Sequence, residues 1–289
     1  MATGSNIRTY FDGRWHDGDV PVMRGADHGA WLGSTVFDGA RYVHGRAPDL
    51  DLHCARVNAS AKALMIAPTV TTEDMVQIVW DGLSAYPKEA AVYIRPMYWS
   101  RAGDASLICA DPESTAFALS LEALPMADPA AMPNGGMSLT TTQYRRPIQA
   151  VAVMDAKAGC LYPNNARMMR EAKAKGFDNA LVQDLAGNVA ELSTSNVFMV
   201  RDGIVATPIP NGTFLNGITR QRVIKLLREA GMEVVETTLT LDDFRAADEV
   251  FSTGNASKVV PVWKFDEVEY GPGPVAKRAR ELYWDFAHA

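Results

Sequence analysis

A mixed α/β (α+β) protein of two domains is what this sequence predicts, on three observations. Strand-like and helix-like stretches alternate through the second half, the pattern of layered strand and helix packing. The run Leu124-Pro125-Met126-Ala127-Asp128-Pro129-Ala130-Ala131-Met132-Pro133-Asn134-Gly135-Gly136 breaks every periodicity and reads as a linker. At 289 residues the chain exceeds the usual single domain. The expected organisation is a small N-terminal α/β domain over 1–123, a linker over 124–136 and a larger C-terminal domain over 137–289.

Composition narrows the class. Hydrophobic residues make up 47% and charged residues 21%, ordinary values for a globular chain. The net charge of −6 argues against nucleic acid as a partner, which calls for a basic excess. No apolar run approaches the roughly 20 residues that span a bilayer, and Met1 to Tyr10 lacks the basic start and apolar run of a secretory signal. Cys54, Cys109 and Cys160 show no close metal-like spacing, so no metal is expected, and reduced thiols in a cytoplasmic protein fit best.

In the first half, Tyr10 to Trp15 folds at Asp12-Gly13, a hairpin signal. Thr35 to Val43 reads as one strand before a turn at His44-Gly45. In the loop before it, His28 is read as structural, because no second base or ligand is spaced near it. Asp51 opens a helix to about Ile66, with Leu52, Ala55, Ala59, Ala63 and Ile66 as its expected buried face. Arg56 leans into that face and needs an anion there. A carboxylate and a bound phosphate both answer the need. A helix from Thr71 or Thr72 stops before Pro87, with a box-like Thr71–Asp74 start. Ala90 to Trp99 then reads as a strand whose period of two puts Tyr93 and Arg95 on one face, Val92 and Ile94 on the other. Such a pair suits a carboxylate or simply a surface stack. Thr115 to Leu121 is the last strand before the linker.

Past the linker, Met137 to Thr142 is a strand. Lys157 follows among Ala, Val, Met and Gly. A lysine stripped of water by such neighbours is driven toward a nucleophile, as a Schiff-base lysine requires; a solvated lysine at a strand end is the ordinary alternative. Pro163 suits the first turn of a helix through Lys175, stopped at Gly176. Strands follow at Asn179 to Gln183, at Val189 to Glu191 and at Asn196 to Val200, the last running into an Asp202-Gly203 turn. Glu191, among apolar and small residues, wants a cation, for which a pyridinium nitrogen or a nearby Arg would serve. Asn216-Gly217-Ile218-Thr219 enters a helix with Val223, Leu226, Leu227 and Ala230 on one side and Gly231 as its stop. Its first turn offers plain capping or a phosphate cradle. Glu249 to Ser257 is a strand running into a small polar turn, a second backbone-rich anion site.

Taken in order, Phe37-Asp38-Gly39-Ala40-Arg41, Arg56, Tyr93-Ile94-Arg95-Pro96, Lys157 with Tyr162, Glu191 with Asn196 and Phe198, Gly217-Ile218-Thr219-Arg220 and Asp248-Glu249-Val250-Phe251 resemble the class IV, fold-type IV, pyridoxal-phosphate aminotransferases, above all the branched-chain amino acid aminotransferases. The resemblance runs from about Phe11 to the C-terminus. It implies a larger domain with a β-barrel-like core, pyridoxal 5′-phosphate as cofactor between the domains, and a homodimer. It further implies that Lys157 carries the cofactor's aldehyde and is the catalytic residue. Tyr162 would bond the ring hydroxyl and Glu191 the pyridinium. Arg56, Ile218, Thr219 and the Gly254–Asn255 turn would hold the phosphate. Tyr93 and the backbone at Ala256 would receive the substrate carboxylate, with Arg95 and Arg41 as candidates for a second one, and Phe37, Trp31 and Leu32 would line the side-chain pocket. The implied reaction moves an amino group between a branched-chain or other hydrophobic L-amino acid and a 2-oxo acid such as 2-oxoglutarate.

Three positions depart from the family pattern: Leu32 stands for a tyrosine, Asn255 for a phosphate-contacting threonine, and Asn216 for a proline. Leu32 keeps (R)-selective amine or D-amino acid transamination open on the same scaffold, with aminodeoxychorismate lyase a further relative. A binding or scaffold protein is the non-enzymatic reading, but such a protein has no use for Lys157 and Glu191 together.

Overall fold

A computed structural model of the chain describes residues 4–271 and 273–289, so the first three positions of the N-terminal reading lie outside it. The chain divides into two compact units, one of Met1–Met126 with Asp155–Leu161, the other of Ala127–Met154 with Tyr162–Ala289. The short Lys157 segment thus packs with the first unit, although it lies beyond the 124–136 stretch.

In the first unit β1 (Ser5–Phe11) and β2 (Arg14–Asp17) form the hairpin at Asp12-Gly13. After α1 (His28–Trp31) come β3 (Thr35–Phe37) and β4 (Ala40–Tyr42), then α2 (Leu50–Ala63), α3 (Thr72–Leu83), β5 (Val92–Ser100) and β6 (Thr115–Ala123). The sheet is antiparallel, in the order β2-β1-β6-β5-β3, with β4 also paired to β5. The single strand expected over Thr35 to Val43 is in fact two, because buried Asp38 turns its carboxylate back onto the N–H of Gly39 at 2.7 Å and interrupts the ladder. Thr71 caps α3 by accepting from Asp74 N. On β5, Val92 and Ile94 are fully buried while Tyr93 and Arg95 share the opposite face.

Helix α2 turns a different side inward from the one its apolar spacing predicts. Leu52 is 44% exposed, and the buried residues are Leu50, His53, Cys54, Val57, Ser60 and Ala61. The cause is that His53 and Ser60 find polar partners inside, so burying them carries no unpaired-group penalty; small alanines at 55, 59 and 63 cover the outer side at little cost. Of the expected face, only Ile66 just beyond the helix is buried.

The second unit comprises β7 (Met137–Arg146), α4 (Tyr162–Ala174), β8 (Asn179–Asp184), β9 (Val189–Leu192), β10 (Asn196–Arg201), β11 (Ile204–Pro208), α5 (Ile218–Glu229), β12 (Val234–Thr237), α6 (Leu241–Arg245), β13 (Glu249–Gly254), β14 (Lys258–Phe265), β15 (Val268–Glu269) and α7 (Pro274–His288). Its sheet runs β12-β11-β10-β13-β14-β7-β8-β9, with β15 on β14. The tight Ser193–Ser195 connection carries edge strand β9 back into β10, and Leu192 N donates to Ser195 O at 2.8 Å, so the sheet curls into a half-barrel. Period-two alternation sorts β10 onto two cores. Phe198 and Val200 pack with Val223, Leu227 and Tyr283 of α5 and α7; Val197 and Met199 pack with Leu139, Phe244 and Phe265. Phe198 stacks on Phe251 of β13 with ring centroids 4.9 Å apart. Among the described residues no helix is long and apolar enough to cross a membrane.

Candidate active site

Lys157 stands between two buried alanines, Ala156 and Ala158, and is itself half-buried. Its backbone is pinned at both ends: Lys157 N donates to Ser60 Oγ at 3.1 Å, and its carbonyl accepts from Phe37 N at 3.1 Å. The ammonium lies 4.9 Å from the centre of the Phe37 ring, a cation–π distance. The inward turn of α2 thus has a consequence, since Ser60 is what anchors the lysine.

Asp38, fully buried, gathers four donors: Arg56 Nε at 2.6 Å and Nη2 at 2.8 Å, His53 Nδ1 at 2.7 Å and the Gly39 N–H. Burial by itself would raise this carboxyl, but the charges and hydrogen bonds of Arg56 and His53 outweigh it and hold the acid well below the usual carboxylate range. The carboxylate reading of Arg56 is therefore realised along one edge of its guanidinium, in the bidentate geometry that fixes a guanidinium plane. His53 lies one helical turn before Arg56. That i, i+3 spacing was the available sign of a shared partner.

Tyr93 sits between two cations, with Arg41 5.5 Å and Arg95 5.7 Å from its ring centre. Its hydroxyl lies against Gly39, where a Cβ would collide with it. Arg95 is held by the buried carboxylate of Glu122, and Arg41 by the carbonyls of Leu124 at 2.7 Å and Pro125 at 3.4 Å. Burial lowers the pKa of Arg41, with Tyr93 opposing the shift. Trp31 and Leu32, at the end of α1, are 58% and 39% exposed. His28, in contrast, is buried with Nδ1 2.8 Å from Ser34 Oγ and Nε2 3.2 Å from Ile108 O, which is a structural setting.

In the second unit Glu191 on β9 is buried and doubly held, by Arg146 Nη2 at 3.1 Å and by Asn196 Nδ2 at 3.2 Å. Arg146 in turn donates to Asn165 Oδ1 and to the carbonyls of Leu192 and Ser193. Asn196 also donates to Leu215 O at 3.0 Å, and its Oδ1 fills the space a Cβ at Gly217 would need. One asparagine therefore ties the carboxylate to the start of α5. There Gly217 is the N-cap, no side chain caps the first turn, and Ile218 and Thr219 are buried. Asn216, in place of proline, accepts from Arg220 Nη1 at 2.8 Å. Nearby, Thr253 pairs with Asn196 across the strands and Gly254 lies against Ser195. Thr253 Oγ1, Asn255 Nδ2 and Ser193 Oγ are buried with no hydrogen-bond partner among the described residues. Tyr162 opens α4, and Ala256 is exposed at the tip of the β13–β14 turn.

The pattern of "amino-transferase class IV" matches residues 35–265. A branched-chain-amino-acid aminotransferase of Escherichia coli K12 is 29% identical over 98% of this chain and 94% of its own. A crystal structure of an aminotransferase from Brucella abortus bound to PLP shares 59% identity over 98% of this chain and 100% of its own, with a TM-score of 0.95. A branched-chain aminotransferase from Thermoproteus uzoniensis, solved with norvaline, shares 28% identity over 97% and 94%, with a TM-score of 0.87. The chain belongs to the class IV aminotransferases. As such it is a pyridoxal-phosphate-dependent aminotransferase. Each unit carries groups of a kind that suits that cofactor: the first a primary amine on a fixed backbone, the second a buried carboxylate of the type that pairs with a ring nitrogen and orphaned hydroxyl and amide groups beside a helix start suited to a phosphate. Reading the sequence did not single out the partners that hold these candidate residues, namely Ser60, Asp38 with His53 and Glu122 in the first unit and Arg146 with Asn165 in the second.

Proposed function

We propose that this enzyme transfers an amino group between a hydrophobic, branched-chain L-amino acid and a 2-oxo acid such as 2-oxoglutarate. The observation that carries the reading is Tyr93, a phenol flanked by Arg41 and Arg95 and backed by Gly39. A phenol hydroxyl with two guanidinium groups near its ring suits a carboxylate, which amine substrates lack. The named relatives in Escherichia coli and Thermoproteus uzoniensis support the branched-chain choice.

Bound pyridoxal phosphate supplies the electron sink for the charge left when the substrate's α-hydrogen departs. The protein supplies the rest. Lys157 would hold the cofactor, and its amine would move the proton at the reacting carbon. Glu191, oriented by Arg146 and Asn196, would keep the ring nitrogen protonated, and Tyr162 would bond the ring hydroxyl. Arg56, with one edge fixed by Asp38, and Ile218, Thr219, Gly254 and Asn255 would hold the phosphate. Tyr93 and the backbone at Ala256 receive the α-carboxylate, Arg95 and Arg41 the second carboxylate of the acceptor. Phe37, Trp31 and Leu32 face the donor's side chain.

Two copies of the chain form the working unit, for which the exposed Leu107, Ile108 and Trp31 supply apolar surface. A reducing cytoplasm suits the free, exposed thiols of Cys109 and Cys160. Steady-state kinetics with L-leucine, D-alanine and (R)-1-phenylethylamine test the substrate assignment. L-leucine should give the highest kcat/KM; preference for either other donor moves the enzyme to the D-amino acid or (R)-amine branch and makes Leu32 decisive.

A further inference from the structure

Lys258 carries two costs that its position does not require. It begins β14 directly after the three-residue Asn255–Ser257 turn, with φ of 64° in the left-handed region. A glycine is the residue for such a position, because a Cβ there strains the backbone. Its side chain is also 2% exposed, so an ammonium has been taken out of water. Both costs vanish with glycine. Among what the lysine supplies in return are a hydrogen bond from Nζ to Asn255 Oδ1, 2.8 Å long, and a cation–π contact 5.4 Å from the centre of the Tyr283 ring.

That bond decides which way the amide points. Lysine has donors and no acceptor, so the atom facing it is the Asn255 oxygen, and a flip would set the NH2 group against an ammonium. The amide nitrogen is thereby directed away from Lys258, and Asn255 Nδ2 is buried with no partner among the described residues. Thr253 Oγ1 on the same turn's first strand and Ser193 Oγ share that condition. The turn itself does not depend on Lys258, since Arg280 Nη1 donates to the carbonyls of Ser257 at 2.9 Å and Val259 at 3.2 Å.

We propose that Lys258 is a positioning residue for phosphate recognition: it locks the Asn255 amide so that its N–H groups are preset toward the anion. This rests on the reading above that the Gly254–Asn255 turn holds the cofactor phosphate. It also gives the departure from threonine at position 255 a partner. A threonine hydroxyl rotates freely to donate, whereas an asparagine has two faces of opposite polarity and needs one of them fixed.

The test is a double-mutant cycle on the apoprotein, with Lys258→Met, Asn255→Ala and their combination, read as equilibrium Kd for pyridoxal 5′-phosphate and for pyridoxal. Lys258→Met should weaken the phosphorylated ligand by about tenfold or more while changing pyridoxal by less than about twofold, as loss of an oriented donor to an anion predicts. The double variant should bind no more weakly than Asn255→Ala alone. Equal losses for both ligands, no loss, or additive losses each overturn the proposal. If Lys258→Met fails to fold, Lys258→Gly serves instead, because glycine accepts φ of 64° without strain. A wild-type protein that forms no borohydride-trapped link between Lys157 and pyridoxal phosphate overturns the functional reading itself, and so is told apart from failure of the Lys258 role.

Discussion

Lys157 owes its placement to main-chain bonds with Ser60 and Phe37 rather than to its side chain. Lys157→Ala keeps both bonds, so it should abolish transamination while leaving circular dichroism and Tm close to wild type. Wild-type turnover in a folded alanine variant would end the assignment. Arg56 has a double duty. Its removal leaves Asp38 with His53 and the Gly39 N–H as partners and would strip the phosphate of a charge-assisted donor, about 1.5–3 kcal/mol of binding. We expect Arg56→Ala to release cofactor, with saturating pyridoxal phosphate restoring most of the activity. Asp38 is more demanding still. Breaking a buried pair of this kind costs about 3–5 kcal/mol, so Asp38→Asn should lower Tm steeply. The linkage follows from the sign of the shift. The folded-state acid is weaker in its grip on a proton than the unfolded one, so its stabilisation is full above the ordinary carboxylate pKa and is lost as pH falls toward the lower folded value. Acid unfolding of the wild type should therefore show a component that Asp38→Asn lacks.

At the scale of elements, α5 and the turn after β13 gather the orphaned donors, and Asn196 links them to Glu191. Gly217 has an ordinary φ of −64°, so alanine there is acceptable to the backbone and fails only for space. We expect Gly217→Ala to cost about 1–3 kcal/mol through displacement of Asn196, and with it to loosen the cofactor; unchanged Kd and Tm would show that the loop yields freely. The elements best written in the sequence were those fixed by local chemistry: the Asp12-Gly13 hairpin, the Thr71 cap, and the alternation that sets Tyr93 and Arg95 on one face of β5. Helix α2 was misread because its buried side is chosen by partners distant in sequence. His53 goes in because Asp38 is there, fifteen residues earlier, and Ser60 because Lys157 is there, ninety-seven later. The same remoteness hid Arg146, whose partners lie on β9 and α4. The resemblance named candidates for meeting cofactor and substrate, but it could not name the residues that hold those candidates.

For the molecule as a whole, the substrate assignment and the dimer are the properties to measure. Tyr93→Phe should raise KM for amino acids severalfold while leaving an amine without a carboxylate little affected, since one hydrogen bond to a charged group is worth about 1.5–3 kcal/mol. Light scattering should give twice the chain mass of 31.4 kDa at assay concentration. The assignment of Asp155–Leu161 to the first unit has a further bearing on how the protein can be taken apart. Cut at residue 126, the leading fragment would lack the strand partner that Ala158 offers Val36 and the acceptor for Phe37 N, and it would carry no nucleophile. The trailing fragment would hold the lysine on a stretch of chain stripped of the neighbours that shape it. A split placed after residue 161 instead would leave the first unit its own 155–161 stretch, and such a fragment should be the more protease-resistant of the two leading pieces.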